Sequence, residues 1–375
     1  MTERSPAAAL REAIRIASQG LVEREALVEL VALAAVAREH VLVIGPPGTA
    51  KSEAVRRISR CIGGAYFEYL LGRFTEPNEL FGPVDMQRLR EGIVQTRTEG
   101  MLPEAELVFL DEVFLGSTAI LNTLLAILNE RTFRRGAQSL SCPLRVCVGA
   151  SNALPDDPAL DAFADRFVLR MFLDKLPDPR LEDLLVAGWE SIEAPAAVAT
   201  VQDIDALAQQ ARGADLRPVR PHLAHAVRVL RGAGIELSDR RVVKLQGLVA
   251  AAAVLSGRST PTRADLWPLV FAVPDAEAQA LARDALRDLL DASDSEALPA
   301  AAEAASMGPA ARARRLIEDG EAVLGEKPSE PTDRAGWQLR AEAVLREIDA
   351  GFDPSALPAP LAELRARLAA EVEPA

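Results

Sequence analysis

Short apolar runs separated by helix-like segments dominate the first half of the chain. Three of them lie in Val41–Ile44, Glu106–Glu112 and Arg145–Ala150, and a polar or glycine residue follows the apolar part of each, namely Gly45, Asp111 and Ser151. Runs of this length, bounded by turn residues, predict buried strands. Alternation of such strands with helical segments from residue 10 to about 180 predicts a parallel sheet covered by helices on both faces.

Further along the chain the strand pattern disappears and apolar positions recur at helix spacing. Leu223, Ala226, Val227 and Leu230 form one such stripe, which predicts an all-helical region. The predicted organisation is therefore an α/β core at 1–180, an all-helical domain at 181–292 and a helical extension at 293–375.

The extension from Ser293 onward is rich in Ala, Glu and Arg and is interrupted by prolines. Two apolar stripes in it predict two amphipathic helices. The stripes are Trp337, Ala341, Val344 and Ile348, then Leu357, Leu361, Leu364 and Leu368. Such helices form either a tail packed against the helical domain or a module that docks a partner.

A glycine-rich turn follows the first predicted strand and ends in Lys51-Ser52. Gly45 and Gly48 allow backbone amides to converge on a polyphosphate at the N-terminus of the next helix. Lys51 would contact the outer phosphates, and the Ser52 hydroxyl would hold Mg²⁺. Ala50 stands where the strict pattern has its second glycine, so an ordinary strand-to-helix turn is the alternative. The predicted nucleotide contacts are Gly45, Pro46, Pro47, Gly48, Thr49, Ala50, Lys51, Ser52 and Glu53.

Polar side chains also end the other two predicted strands. Asp111 and Glu112 follow one strand and Asn152 follows the other. Because ligands bind at the carboxyl ends of parallel strands, we expect Asp111 to anchor Mg²⁺ and Glu112 to orient or deprotonate an attacking water. Asn152 would contact the γ-phosphate or the water. The alternatives are solvated acids at a strand end and a turn-forming Asn.

The order of these three strand-end motifs matches the Walker A, Walker B and sensor 1 motifs of AAA+ ATPases. Longer segments resemble the MoxR family of AAA+ ATPases, and within it the RavA-like branch, which also has Ala before the P-loop Lys. These segments are Arg73–Pro83, Gly100–Glu106, Ile120–Arg131, Ser151–Pro155, Ser238–Arg241 and Ser256–Arg258. The resemblance covers about residues 10 to 270 and implies an AAA+ core with an all-helical lid that binds ATP and Mg²⁺.

Further roles follow from the resemblance alone. Arg166 falls where the family has its arginine finger, although an ion pair with the adjacent Asp165 is the alternative. Arg240 falls at the sensor 2 position of the lid, with Arg241 nearly as good a candidate. The segment 72–100 resembles the family's helix-2 insertion, and the segment 131–144 resembles its pre-sensor 1 hairpin; both are also compatible with solvated loops.

Composition favours a large cytoplasmic protein. The 375 residues carry a net charge of −13 and only three cysteines, with no C-x-x-C pair. This acidic balance argues against a general nucleic-acid binder. No apolar run resembles a signal peptide or a transmembrane helix, and the three histidines predict no metal site beyond Mg²⁺.

Together these observations predict an ATP-hydrolysing chaperone that assembles into a ring, which family resemblance implies to be a hexamer. The implied partner is a protein with a von Willebrand factor A (vWA) domain. Two alternatives stay open. The first is a nucleotide-dependent assembly scaffold with little turnover, and the second is an AAA+ motor stimulated by DNA.

Overall fold

A computed structural model describes residues 4–136, 138–176, 180–189, 197–293, 295–306, 309–328, 334–352 and 357–372. Five parallel strands form one sheet in the order β2-β3-β6-β1-β7, and β4 and β5 form a separate antiparallel hairpin. The predicted α/β fold is therefore confirmed. The strands are β1 Val41–Ile44, β2 Tyr66–Leu70, β3 Leu107–Asp111, β4 Thr132–Arg135, β5 Gln138–Ser141, β6 Val146–Ser151 and β7 Leu169–Phe172.

Strand register aligns the ends that carry the predicted site. Ile44 pairs with Ser151 on one side and with Phe172 on the other, and Leu70 pairs with Asp111. The carboxyl ends of the strands therefore meet at one edge of the sheet, as the fold class requires. We call this the carboxyl edge and the opposite edge the amino edge.

Eighteen α-helices occur in the described residues. They are α1 Pro6–Ser18, α2 Glu25–Ala37, α3 Lys51–Ile62, α4 Pro77–Phe81, α5 Met86–Arg90, α6 Thr118–Glu130, α7 Pro158–Ala164, α8 Leu181–Trp189, α9 Val201–Arg212, α10 Arg220–Gly232, α11 Asp239–Leu255, α12 Pro268–Phe271, α13 Ala276–Ala285, α14 Arg287–Leu290, α15 Pro299–Ser306, α16 Pro309–Gly325, α17 Arg334–Gly351 and α18 Ala359–Val372. None is long and apolar enough to cross a membrane within the described part of the chain.

Each face of the sheet carries its own buried cluster. One cluster joins the inward residues of the sheet to α1, α2, α3 and the helices from α9 to α15. The other joins the opposite face to α4, α6, α7 and the β4–β5 hairpin. Residues 27–36 of α2 are all buried, because this helix lies between the sheet and the helices that follow residue 200.

The C-terminal extension divides into two parts. Helix α15 packs on α2, and the cluster that contains it continues through Ala305. Helices α16, α17 and α18 share a separate buried cluster that begins at Ala313. The first predicted stripe lies on α17, and the second lies on α18 except for Leu357, which precedes that helix. Trp337 donates from Nε1 to the Val323 carbonyl of α16 at 2.7 Å.

The segment 72–100 packs against the β4–β5 hairpin. Phe81 stacks on Phe133 with ring centroids 5.6 Å apart, and both side chains are buried. Thr96 exchanges two hydrogen bonds with the Gln138 side chain, from its amide at 2.8 Å and to its carbonyl at 3.2 Å. The two excursions from the core therefore form one packed unit.

Candidate nucleotide-binding site

The turn after β1 is held close to the end of β7. Gly45 accepts no larger residue, because a Cβ there would lie 2.5 Å from the Leu173 carbonyl oxygen. Gly48 has φ +79°, in the left-handed region that glycine adopts at little cost. Glycine is therefore needed at the two positions for different reasons: Gly45 permits the close approach of the Leu173 carbonyl, and Gly48 permits the positive φ of the turn.

Ala50 occupies the left-handed region as well, with φ 58° and ψ 26°, immediately before α3. A residue with a Cβ loses roughly 1 kcal/mol or more in this conformation. The strict motif has glycine at this position, and the positive φ gives the physical reason. The loop therefore keeps a glycine-like backbone despite the substitution.

Lys51 begins α3, and its side chain folds back over the turn. Nζ donates to the Gly45 carbonyl at 2.5 Å and lies 3.5 Å from both the Pro46 carbonyl and Asn152 Oδ1. The residue is buried, and no carboxylate pairs with it among the described residues. Its charge therefore faces the concave side of the loop, where an anion would be stabilised.

The strand-end acids lie at the same edge. Asp111 is the last residue of β3, and its Oδ1 accepts from the Glu112 amide at 3.0 Å. Glu112 has φ 50°, so the chain turns sharply after the strand. The Glu112 carboxylate accepts from Asn152 Nδ2 at 2.6 Å. Asn152 thus links the acid of β3 to the lysine of the P-loop.

This group fits a magnesium-bound nucleoside triphosphate. It combines a backbone cradle, a buried lysine without a carboxylate partner in the described chain, and carboxylates at the end of β3, which β6 separates from β1. Among the described residues no cluster of three or more His, Cys, Asp or Glu forms a ready metal site. Mg²⁺ would therefore need phosphate oxygens as ligands in addition to Ser52 and Asp111, as is usual for this ion.

Arg24 is a residue that the sequence reasoning missed. It precedes α2 and is buried; its guanidinium donates to the Thr49 carbonyl at 2.8 Å and to the Asp174 carbonyl at 3.0 Å. It therefore ties the P-loop to the chain that leaves β7. Arg24 is distant in sequence from Thr49 and Asp174, and no local motif marks it. Its role can therefore be recognised only from its position in the fold.

The paired arginines of α11 behave differently from each other. Arg241 is buried, and its Nε donates to Asp165 Oδ1 at 2.6 Å. Its remaining nitrogens donate to the carbonyls of Phe167, Val168 and Ala272. Arg240 is only half-buried and donates to the Asn129 side chain. Arg241 therefore fastens α11 to the core, and Arg240 is the one available to a ligand.

These contacts place the start of α11 at the amino edge, because Phe167 and Val168 precede β7. The P-loop lies at the carboxyl edge of the same sheet. Arg166 is at the amino edge too, where burial and the nearby Arg240 lower its pKa. Its Nε is buried without a hydrogen-bond partner. Asp165 forms its ion pair with Arg241, and the described residues show no ion pair between Asp165 and Arg166.

Residues 8–210, more than half of the chain, match the family model for the MoxR domain in the MoxR-vWA-beta-propeller ternary systems. The chain therefore belongs to the MoxR family of AAA+ ATPases, which confirms the family prediction.

Among its relatives, the Methanocaldococcus jannaschii proteins MJ0812 and MJ0079 are 35% and 34% identical over 246 residues. Each alignment covers 65% of this chain, and the alignments cover 66% and 64% of the two relatives, so the chain spans just under two thirds of their length. The chaperone MoxR1 of Mycobacterium tuberculosis is 26% identical over 166 residues, which is 43% of each chain.

A solved structure from Cytophaga hutchinsonii, described as a candidate ATPase, superposes with a TM-score of 0.61. The superposition covers 77% of this chain and 96% of that chain. With 15% sequence identity, this likeness shows the AAA+ fold alone.

Proposed function

We propose that this chain binds Mg²⁺–ATP at the P-loop and hydrolyses it, and that it acts as a chaperone that remodels a protein partner. The observation that carries the proposal is the connected set of Lys51, Asn152 and Glu112. A cation, an amide and a carboxylate in one hydrogen-bonded group match what hydrolysis of a phosphoanhydride needs: charge neutralisation, orientation and a base.

Each residue has a step in this scheme. Lys51 Nζ, which is hydrogen-bonded to the Gly45 carbonyl, would move to the outer phosphates when they enter the cradle. Asn152 holds the Glu112 carboxylate at the carboxyl edge, and Glu112 accepts a proton from the attacking water. Ser52 and Asp111 would hold Mg²⁺, which supplies further neutralisation of phosphate charge.

Arg166 and Arg240 support a ring assembly. Four residues of β7 separate them from the carboxyl edge, a distance of roughly 13 Å at about 3.3 Å per residue. Neither side chain is therefore well positioned for its own P-loop, although both would suit a nucleotide held by a neighbouring subunit. We propose that both act in trans, and that a closed hexameric ring repeats this interface.

Helix α8 gives independent support for assembly. Its side chains Leu185 and Trp189 are 73% and 90% exposed, and Leu181, Leu184 and Val186 are exposed as well. A contiguous apolar surface of this kind marks an interaction site in a water-soluble protein. We propose that α8 contributes to the contact between subunits.

The partner proposal rests on the family description, which names vWA and β-propeller components. We propose that a vWA-domain protein is the partner remodelled by this chain. The unit formed by the segment 72–100 and the β4–β5 hairpin exposes Met86, Leu89, Ile93 and Val94 beyond its packed base. This apolar tip is a candidate contact for the partner. The RavA-like branch and a cytoplasmic location belong to the same proposal.

A co-purification experiment tests the function. Tagged Glu112→Gln protein should bind ATP without turning it over and should retain its partner from a native lysate, because the substitution removes the base and preserves size. Lys51→Ala, which cannot hold the outer phosphates, is the matched control and should recover less partner.

Recovery of a vWA-domain protein in an ATP-dependent manner would support the proposal. A purified chain that oligomerises with ATP without releasing phosphate would favour the assembly scaffold. Stimulation of phosphate release by DNA, with nucleic acid as the only captured component, would favour the DNA motor.

A further inference from the structure

A second concave site lies at the amino edge, across the sheet from the P-loop. A cleft of about 710 Å³ opens between the end of α2, the end of α6, α9 and α11. Core residues such as Arg38, Arg131 and Arg145 line one side, and Arg212 and Lys244 of the helical domain line the other. The cleft therefore sits at the junction of the two domains.

Positive charge dominates this cleft in a chain whose overall charge is −13. Five cationic side chains line it against two carboxylates, those of Glu39 and Asp205, which leaves three positive charges in excess. Both carboxylates are already engaged. Asp205 accepts from Arg145 at 2.7 and 2.8 Å and also from Arg38, and Glu39 accepts from Lys244.

Two cations are left without a carboxylate among the described residues. Arg131 donates to neutral acceptors, namely His40 Nε2 at 2.6 Å, the Arg38 carbonyl at 2.8 Å and the Leu128 carbonyl at 3.2 Å. The Arg212 side chain has neither an ion pair nor a hydrogen bond in the described part of the chain. Burial lowers the pKa of Arg38, and repulsion from Arg145 and Arg212 adds to this. An anion in the cleft would relieve that repulsion.

The remaining lining selects the kind of anion. Val36, Leu128, Leu144 and Ala208 give the cleft an apolar wall beside the cations. The volume lies within the range of about 300–1,000 Å³ typical of small-molecule sites. Guanidinium groups bind both phosphate and carboxylate in a bidentate manner, and the excess of three positive charges favours phosphate, which carries the greater negative charge.

We propose that this cleft binds a small organic molecule that carries phosphate, with two or three negative charges, at a site separate from the P-loop. The phosphate would contact Arg212 and Arg131, and the organic part would lie against the apolar wall. Because α9 and α11 supply one side and the core supplies the other, the bound molecule would hold the helical domain against the core.

Titration with inorganic pyrophosphate tests the site. The full chain with Lys51→Ala is used without Mg²⁺, so the P-loop does not contribute and the outcome is independent of its proposed ATP binding. Calorimetry should show one saturable site per chain. In this background Arg212→Ala should weaken binding about tenfold, since a charge-assisted contact is lost.

A pair of adjacent glutamines provides the sharper comparison. Gln209 lines the cleft and Gln210 does not, and both are exposed on α9. Gln209→Glu should weaken pyrophosphate binding about tenfold, and Gln210→Glu should change it less than about twofold. No saturable binding, or equal effects of the two substitutions, would overturn the proposal. The proposal is supported if Gln209→Glu and Arg212→Ala weaken pyrophosphate binding while Gln210→Glu leaves it nearly unchanged.

Discussion

Asn152 Nδ2 donates to Glu112 Oε1 at 2.6 Å, while Asn152 Oδ1 lies 3.5 Å from Lys51 Nζ. One amide therefore contacts the proposed base and the proposed phosphate-binding cation. Its two ends are not interchangeable, because the donor faces the carboxylate and the acceptor faces the ammonium group. The amide fixes the relative position of two groups that come from different elements, because Lys51 begins α3 and Glu112 follows β3.

Asn152→Ala should lower kcat for ATP hydrolysis by roughly 10²-fold, the usual effect of removing one orienting hydrogen-bond donor. The affinity for ATP should change little, because the backbone cradle and Lys51 are retained. Phosphate release and ATP binding are to be measured on the same protein. Asn122→Ala, at an exposed position on α6, is the control. Equal loss of affinity and turnover would contradict a role in orienting Glu112.

Ala50 tests the backbone of the P-loop. With φ 58° it should accept glycine, since relief of strain offsets the greater freedom of the unfolded chain; we expect a stability change within about 1 kcal/mol. Ala50→Val should destabilise by more than this and weaken ATP binding, because a β-branched residue is disfavoured at positive φ. Urea denaturation and ATP titration of both variants check this. Equal behaviour of Gly and Val would contradict the left-handed conformation.

The two neighbouring arginines of α11 should separate stability from activity. Arg241→Ala removes a buried guanidinium with four acceptors and should lower the free energy of unfolding by about 3 kcal/mol. Arg240→Ala, at a half-buried site without a carboxylate partner among the described residues, should change it by less than about 1 kcal/mol and should reduce ATPase activity only in the assembled protein. Denaturation and activity measured side by side give the test. The reverse pattern would assign the catalytic role to Arg241.

Glu29 should make stability depend on pH. Its carboxylate is buried and accepts from the amides of Ala300 and Ala301 at 3.3 and 2.7 Å. Burial raises its pKa to about 7 from an ordinary 4.5. The folded chain thus holds this proton more tightly than the unfolded chain does. The resulting stability is full below about pH 4.5 and is lost as pH rises through 7.

Glu29→Gln should therefore become more stable relative to the unmodified protein as pH rises from 5 to 8, by up to about 3 kcal/mol. The free energy of unfolding at both pH values is the measurement, and Glu303→Gln, at an exposed site on α15, is the control. A difference between Glu29→Gln and the unmodified protein that is independent of pH would contradict the buried, proton-binding carboxyl.

Local sequence patterns predict the parts of the fold that depend on neighbouring residues. The apolar runs predict the strands, and the glycine-rich turn predicts the P-loop. The order of strand-end residues indicates which side chains meet at the carboxyl edge, because parallel strands share that edge.

Contacts between distant segments lie beyond such patterns. Arg24 is 25 residues from Thr49, and Arg241 is 76 residues from Asp165. Nothing near Arg241 in the sequence distinguishes it from Arg240, since only the fold determines which of them is buried. The position of α11 at the amino edge likewise depends on how the helical domain packs, which side-chain spacing does not encode.

The central claim is that one subunit supplies the P-loop and its neighbour supplies Arg166. Arg166→Ala and Lys51→Ala proteins should each be nearly inactive, since an arginine finger contributes roughly 10³–10⁵ in rate in related phosphoryl transfers. When the two proteins are mixed in equal amounts, random assembly should give about a quarter of the interfaces both an intact P-loop and an intact arginine.

ATPase activity of these mixed assemblies is the most direct measurement. Native mass spectrometry first establishes that both variants are present in one assembly. The account predicts that activity rises well above that of either parent, in proportion to the intact interfaces. Mixed assemblies that contain both variants and stay as inactive as their parents would contradict the shared site.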